Sequence, residues 1–559
     1  MFGCDCFYWG RVAEFDQLVP EREPFSLPSP IPEWPQGRGF ATGRIRLGEI
    51  EVLKVTSFEI CWGFSQARGK PRITFYRPVG IPDGFHCLGY YCQSNEKPLI
   101  GYVLVARDAS SESGGAPAMR KPVGYTRIWA ADAGPGYGYG YFWLPNAPLG
   151  YKPMGIIVST EPEEPDLDEV RCVREDLTEP CEPCGRICSG GTRSLKLPFE
   201  IWNTRPCNRG IGERGVPVGT FVCSFLPEPV DIACLKNCRD FTDAMPTLNQ
   251  IHALIEHYGP TVFFHPEETY LPSSVQWFFM NGAVLCSDSD DGKSCGQPID
   301  CEGSCLPRGG SNDGKFWIDL PEDEDLRNLL KRGNIESAEL YVHVKPALGG
   351  TFTDVAMWVF CPFNGPVTLK VGPMSIAMPR VGEHVGDWEH FTLRVCNFTG
   401  ELWGAYFSQH SGGEWVHSAD LEFIDGNRPA VYSSKSGHAC FAHAGLYLQG
   451  PSRLGIGIRN DANKSRSFVD SSRRYRVVSA EYLGDGVVEE PCWLQYMREW
   501  GPTIMYDGRS EVDKVINLLP SFVRFSVENI FDLFPTELYG EEGPTGPKEK
   551  DNWLGDERS

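Results

Sequence analysis

The sequence contains no run of 18 apolar residues, so no membrane-spanning helix is expected. It is also short of positive charge, with 52 Lys and Arg against 74 Asp and Glu and a formal net charge of −22. Nucleic acid is excluded as an expected partner, because phosphate neutralisation needs a basic surface. An anionic membrane would attract such a chain only through a cation or a local basic patch. One catalytic signature is missing, the His-Glu-x-x-His zinc motif. The opening residues MFGCDCFYWGRVAEFDQ lack the basic-then-apolar pattern of a secretory signal, and residue 2 is Phe rather than the Gly that myristoylation requires. The expected location is therefore cytoplasmic, peripheral on membranes at most, and not secreted. Cys4 and Cys6, beside Phe2, Phe7 and Trp9, are the positions open to acylation.

Hydrophobic residues make up 41% and aromatics 12% of the 559 residues, enough to build cores and to exclude disorder as the main state. The 61 Gly and 45 Pro argue against a helical bundle. Residues 1–40 read as an extended lead-in, punctuated by Pro28, Pro30, Pro32 and Pro35. From 41 to 240 the pattern is strand, turn, strand, with an internal repeat. ITFYRPVGIPDGFHCLGYY (73–91) matches YFWLPNAPLGYKPMGIIV (141–158), and FEIWNTRPCNRGIGERGVPVGTFVC (199–223) is a weaker third copy. Gly89, Gly155 and Gly219 fall 66 and 64 residues apart. Trp62 precedes Tyr76, and Trp129 precedes Trp143, by 14 residues each. Three units at one period imply a pseudo-threefold β architecture closing a shared core. Residues 240–258 read as a short helix ended by Gly259-Pro260, which marks the domain boundary. Short β-like segments return after 261, 515–534 reads as an apolar-rich helix, and 539–559 as a charged tail.

Ten of the 11 histidines lie after residue 251, and six fall between 384 and 443. The centre is EHVGDWEHFTLRV. Residues 387–395 alternate as a strand, which places Asp387 and Glu389 on one face about 6.6 Å apart. Two carboxylates so close repel unless a cation or proton lies between them. His384, in a Gly-flanked turn, can bend onto the same site, whereas His390 faces the other way. His384-x-x-Asp387-x-Glu389 is thus a plausible metal triad. Its mixed donors favour Mg²⁺, Ca²⁺ or Mn²⁺ over Zn²⁺. His410 and His438 follow in Gly-rich turns, where loops on a rigid scaffold carry function. FFHPEETYLPSS, with His265, Glu267 and Glu268, either approaches the same site or forms a strand-end turn, and its Pro266 and Pro272 punctuation favours the turn. The cysteine clusters 172/181/184/188 and 286/295/301/305 lack paired zinc knuckles; free thiols, a loop disulfide and zinc all stay open.

ITFYRPVGIPDGFHCLGYY, YFWLPNAPLGYKPMGIIV, FFHPEETYLPSSVQWFF, EHVGDWEHFTLRV, YFSQHSGGEWV and GEEGPTGPK together resemble the plant family named after vacuolar protein sorting-associated protein sixty-two. The name implies a link to vesicle or vacuolar trafficking. The C-terminal half is distantly similar to the necrosis- and ethylene-inducing toxin-like family, whose Gly-His-Arg-His-Asp-Trp-Glu heptad sits on a β-sandwich. That resemblance implies a divalent-metal site at His384, Asp387 and Glu389, with Asn364 in place of an acid, and contact with a membrane sphingolipid head group. Val385-Gly386 stands where that family has Arg-His. The N-terminal repeat is similar to the β-prism domains of trafficking proteins, which implies membrane or protein-partner contact. The expected fold is therefore mainly β: a pseudo-threefold β-prism-like domain (41–240), then a β-sandwich with a few peripheral helices (241–538). The favoured function is binding of a membrane-lipid or glycan head group at a divalent-cation site. The alternatives are a metal-dependent hydrolase with His410 or His438 as general base, and a non-catalytic scaffold; the balance leans away from an enzyme.

Overall fold

The computed structural model describes residues 24–65, 72–110, 115–132, 138–190, 199–224, 231–289, 292–378, 380–410, 412–450, 456–504 and 543–557. Cys4, Cys6 and the 515–534 segment lie outside these residues. The described chain is mainly β and divides into two units: 1–26, 49–207 and 217–235 form the first, and 27–48, 208–216 and 236–559 the second. The second unit thus takes part of the lead-in and a short piece of the repeat region. No helix among the described residues is long and apolar enough to cross a membrane.

The repeat in the first unit becomes three antiparallel sets of three strands, two of them complete sheets and the third part of a larger one. Phe58–Ser65, Arg72–Pro78 and Tyr91–Ser94 form one, and Gly124–Asp132, Tyr139–Asn146 and Ile157–Ser159 the next. Thr178–Gly190, Phe199–Pro206 and Phe221–Ser224 form the third. Their registers coincide. Trp62 pairs with Phe75, Trp129 with Phe142 and Cys188 with Ile201, each just after a one-residue register shift. These strand-centre residues fill one core, where the Phe75, Phe142 and Phe221 ring centroids lie 5.0–6.4 Å apart. The core positions fall one residue before the Tyr76 and Trp143 that mark the repeat in sequence. The third copy is faint because Ile201 replaces the aromatic.

The late glycines explain themselves by close approach. A Cβ on Gly89 would lie 2.8 Å from Gly155 Cα and 2.8 Å from Thr220 Cγ2, and one on Gly155 2.7 Å from Thr220 Cβ. Each turn touches the next, so a side chain at either glycine has no room.

The second unit is organised by a six-stranded sheet, in the order Gly412–His417, Leu402–Gln409, His384–Cys396, Phe352–Asn364, Leu340–Ala347, Tyr475–Ala480. One face packs Val344, Val355, Met357, Phe391 and Leu393 against Ile251, Leu254 and Tyr258 of a helix. That helix runs Leu248–Tyr258 rather than from 240. Pro246 blocks an earlier start, and Thr247 with Gln250 forms a capping box. The other face is covered by a second core of Phe360, Trp388, Trp493 and Trp500. Residues 543–557 are not a solvated charged tail. Trp553 is 3% exposed and stacks on His343 at 3.9 Å, and Glu557 is buried against His390. Of the two cysteine clusters, one yields a disulfide, Cys286–Cys295, across the hairpin Val284–Ser289/Gly292–Pro298; in the other, Cys172 and Cys181 are thiols.

Candidate metal and head-group site

The two longest neighbouring strands, Phe352–Asn364 and His384–Cys396, run antiparallel over their full length, from Phe352 opposite Cys396 to Asn364 opposite His384. Strand alternation places Asp387 and Glu389 on one face and His390 on the other, as the spacing predicts. The ladder also brings Cys361 directly opposite Asp387. Gly386 carries φ +67°, and a Cβ there would lie 2.3 Å from the Trp500 carbonyl oxygen. The toxin-like heptad's histidine has no room at this position, which accounts for that departure physically.

Asp387 Oδ2 accepts a hydrogen bond from His438 Nδ1 at 2.7 Å, and His438 Nε2 donates to the Tyr270 carbonyl at 2.8 Å. Both acceptors lack protons, so both ring nitrogens carry one and His438 is an imidazolium. Burial opposes that charge, but Cys361, Asp387 and Glu268 raise its pKa well above the usual value. Burial likewise works against the Asp387 carboxylate, yet the His438 hydrogen bond and charge, with His384 and Lys550, hold its pKa below the usual range. With no lone pair to offer, His438 is unfit for the general-base role.

Glu389 accepts from Ser408 Oγ at 2.6 Å, and burial followed by the Asp387 charge pushes its pKa up. His384 is 8% exposed, with Nδ1 buried and without a hydrogen-bond partner. Asn364 donates to the carbonyls of Gly365 and Gly382 at 3.1 and 2.6 Å. A Cβ on Gly437 would lie 4.0 Å from Asn364 Oδ1, so the amide oxygen faces that glycine. An open imidazole nitrogen, an amide oxygen and two carboxylates are donor types that a hard divalent cation takes. The predicted triad His384, Asp387 and Glu389 is not among the groups of described residues whose ligating atoms converge. Among the described residues, the group whose ligating atoms all lie within 4.8 Å of one another is Cys361, Asp387 and His438. Asp387 is thus shared between His438 and the His384/Glu389 side.

His410 also faces the site, and its charge works against the upward shift of Glu389. Its Nε2 donates to Asn460 Oδ1 at 3.1 Å. It lines a cavity of about 290 Å³ with Glu267, Thr368, Lys435, Ser436, Gly437, Arg459, Asn460 and Asp461. Lys435 pairs with Glu267 at 2.7 Å and Arg459 with Asp461 at 2.9 Å, so the lining is polar and charge-balanced. His410, Ser436 and His438 all adopt left-handed backbone conformations, at φ +45°, +68° and +51°. Such strain in non-glycine residues persists only where surrounding structure enforces it, and it gathers at functional sites.

Sequence reasoning missed Cys361 and Asn460, and favoured a strand-end turn for Glu268 over a place at the site. Glu268 accepts from the backbone amides of Thr269 and Tyr270 at 2.9 and 2.8 Å, and from that of Ser436 at 2.6 Å, which ties the HPEET turn to the His438 loop. Its only signal was two adjacent acids in a Pro-bounded turn.

Comparison with known proteins gives two relatives in Saccharomyces cerevisiae. Vacuolar protein sorting-associated protein 62 is 31% identical over 157 residues, covering 24% of this chain and 32% of the yeast protein. TDA6, a vacuolar protein sorting-associated protein of the same yeast, is 23% identical over 316 residues, covering 48% and 64%. The chain therefore spans less than two thirds of the length of either. Among solved structures, Necrosis and Ethylene inducing Protein 2 from the causal agent of cocoa's Witches Broom disease aligns at 12% identity and a TM-score of 0.20, covering 39% of this chain and 71% of that one. The likeness is too distant to bear on function. Residues 21–557 match the family described as vacuolar protein sorting-associated protein 62, and the chain belongs to that family.

Proposed function

We propose that the second unit binds the polyhydroxylated head group of a membrane lipid or glycan, and that this binding serves vacuolar sorting. The observation that carries the reading is the cavity of about 290 Å³ beside His410, whose two acids and two bases are already paired. A phosphate would have to compete with those acids for Lys435 and Arg459, whereas a neutral or zwitterionic polyol finds donors and acceptors of both kinds without breaking either pair. The volume sits at the lower end of small-ligand sites, which suits a single sugar-sized ring. A divalent cation held by His384, Asp387, Glu389 and Asn364 would offset the Glu389–Asp387 repulsion and stiffen the wall carrying Asn364. The protein would then be peripheral on membranes and would act by binding, not by turnover.

Co-sedimentation with vesicles bearing a glycosylated lipid tests the reading. Wild type should sediment with glycosylated vesicles and not with phosphatidylcholine alone, and Thr368→Trp, which fills the cavity, should abolish the difference. Equal sedimentation of wild type and variant would overturn it.

A further inference from the structure

The sheet face that residues 543–557 cover is unusual in composition. His343, Lys345, Asp354, Thr392 and Arg394 project from three adjacent strands and are all 7% exposed or less. A covered sheet face is ordinarily apolar, and buried charge is tolerated only when paired. Here part of the pairing comes from the covering segment. Arg394 is bidentate to Asp354 at 2.7 Å for each bond and also reaches Asp556 at 2.9 Å. Glu557 accepts from Thr392 at 2.5 Å and pairs with His390 at 3.0 Å. Lys345 donates to the main-chain carbonyls of Asn552 and Gly555. Trp553 lies flat on His343, with an interplanar angle of 11°.

These contacts have the form of peptide recognition. One aromatic anchor fills a central slot, two acids meet fixed partners, and a buried ammonium reads the peptide main chain. The segment is also fastened separately upstream, where Trp500 N donates to the Pro544 carbonyl at 2.7 Å. Residues 552–557 can therefore leave the face while 543–545 stay attached.

We infer that this face is a recognition site for a peptide carrying a tryptophan followed, at the third and fourth positions after it, by two acidic residues. The chain's own Trp553, Asp556 and Glu557 occupy it at rest, and a partner protein with the same pattern competes for it. Tethering holds the intramolecular ligand at an effective concentration on the order of millimolar, so a free peptide binds wild type at least ~100-fold more weakly than a chain whose own segment is disabled.

The test uses the full-length protein and a fluorescent peptide spanning residues 547–557. The double variant Asp556→Asn/Glu557→Gln and the triple variant that adds Trp553→Ala should bind the peptide saturably, and wild type should not at the same concentrations. A peptide carrying the same two amide substitutions should fail against every chain. Folded variants that bind no peptide would overturn the inference. A second measurement on wild type needs no variant: hydrogen exchange of amides 552–557 should be faster than that of Val344 and Leu393 in the sheet. Exchange of all of them at one common rate would show the segment to be an inseparable layer of the core, and would equally overturn it.

Discussion

Glu557→Gln isolates one electrostatic contribution. The carboxylate is 6% exposed. Burial alone would raise its pKa, but the His390 charge and hydrogen bond, then Lys345 and Thr392, lower it to about 2 from an ordinary 4.5. A carboxyl with a depressed folded-state pKa adds stability that is fully present above its unfolded value and is lost as pH falls through its folded value. The shift corresponds to about 3 kcal/mol at neutral pH, shrinking to roughly half that near pH 3. Urea unfolding of wild type and variant at several pH values measures the difference, with tryptophan fluorescence as the probe because Trp553 stacks on His343. The gap between the two midpoints should be widest near neutrality and close on acidification. A gap of constant size down to pH 3 would mean that Glu557 acts by shape alone, and would refute the charge argument.

Other expectations follow from packing. Gly155→Ala should destabilise the first unit by about 1–3 kcal/mol, since its Cβ would press on buried Thr220, and Thr220→Ser should restore part of the loss in the same melting assay. Phe75→Ala, at the meeting point of the three sheets, should cost about 3–5 kcal/mol in denaturant titration. Gly386→Ala should lower the melting temperature more than an exposed Gly→Ala such as Gly372→Ala, because only Gly386 faces a backbone carbonyl at 2.3 Å. Equal effects at the two positions would contradict the close-approach account.

The repeat was legible because Gly89, Gly155 and Gly219 answer to a steric demand that tolerates no substitute, and steric demands leave fixed spacings. The carboxylate pair was legible because strand alternation is a local rule. The partner of Asp387 was not, since His438 is 51 residues away and reaches it through a loop whose left-handed backbone no residue type announces. Cys361 was invisible for a related reason: only the register of two long strands sets it opposite Asp387. The charged segment at 543–557 misled because its composition reads as solvated, while its partners Lys345, His390 and Arg394 are dispersed over earlier strands.

The central claim, a sugar-sized head-group site beside His410, is tested most directly by titrating the full-length protein with a soluble hexosamine by calorimetry. The titration should be run with and without a divalent cation, and repeated on Thr368→Trp and on Asp387→Ala/Glu389→Ala. Saturable binding to wild type is expected, abolished by Thr368→Trp and weakened by the double variant. A ligand that binds only the native state must also raise the melting temperature with its concentration. Wild type that gives no heat and no rise in melting temperature, with or without the cation, would contradict the account.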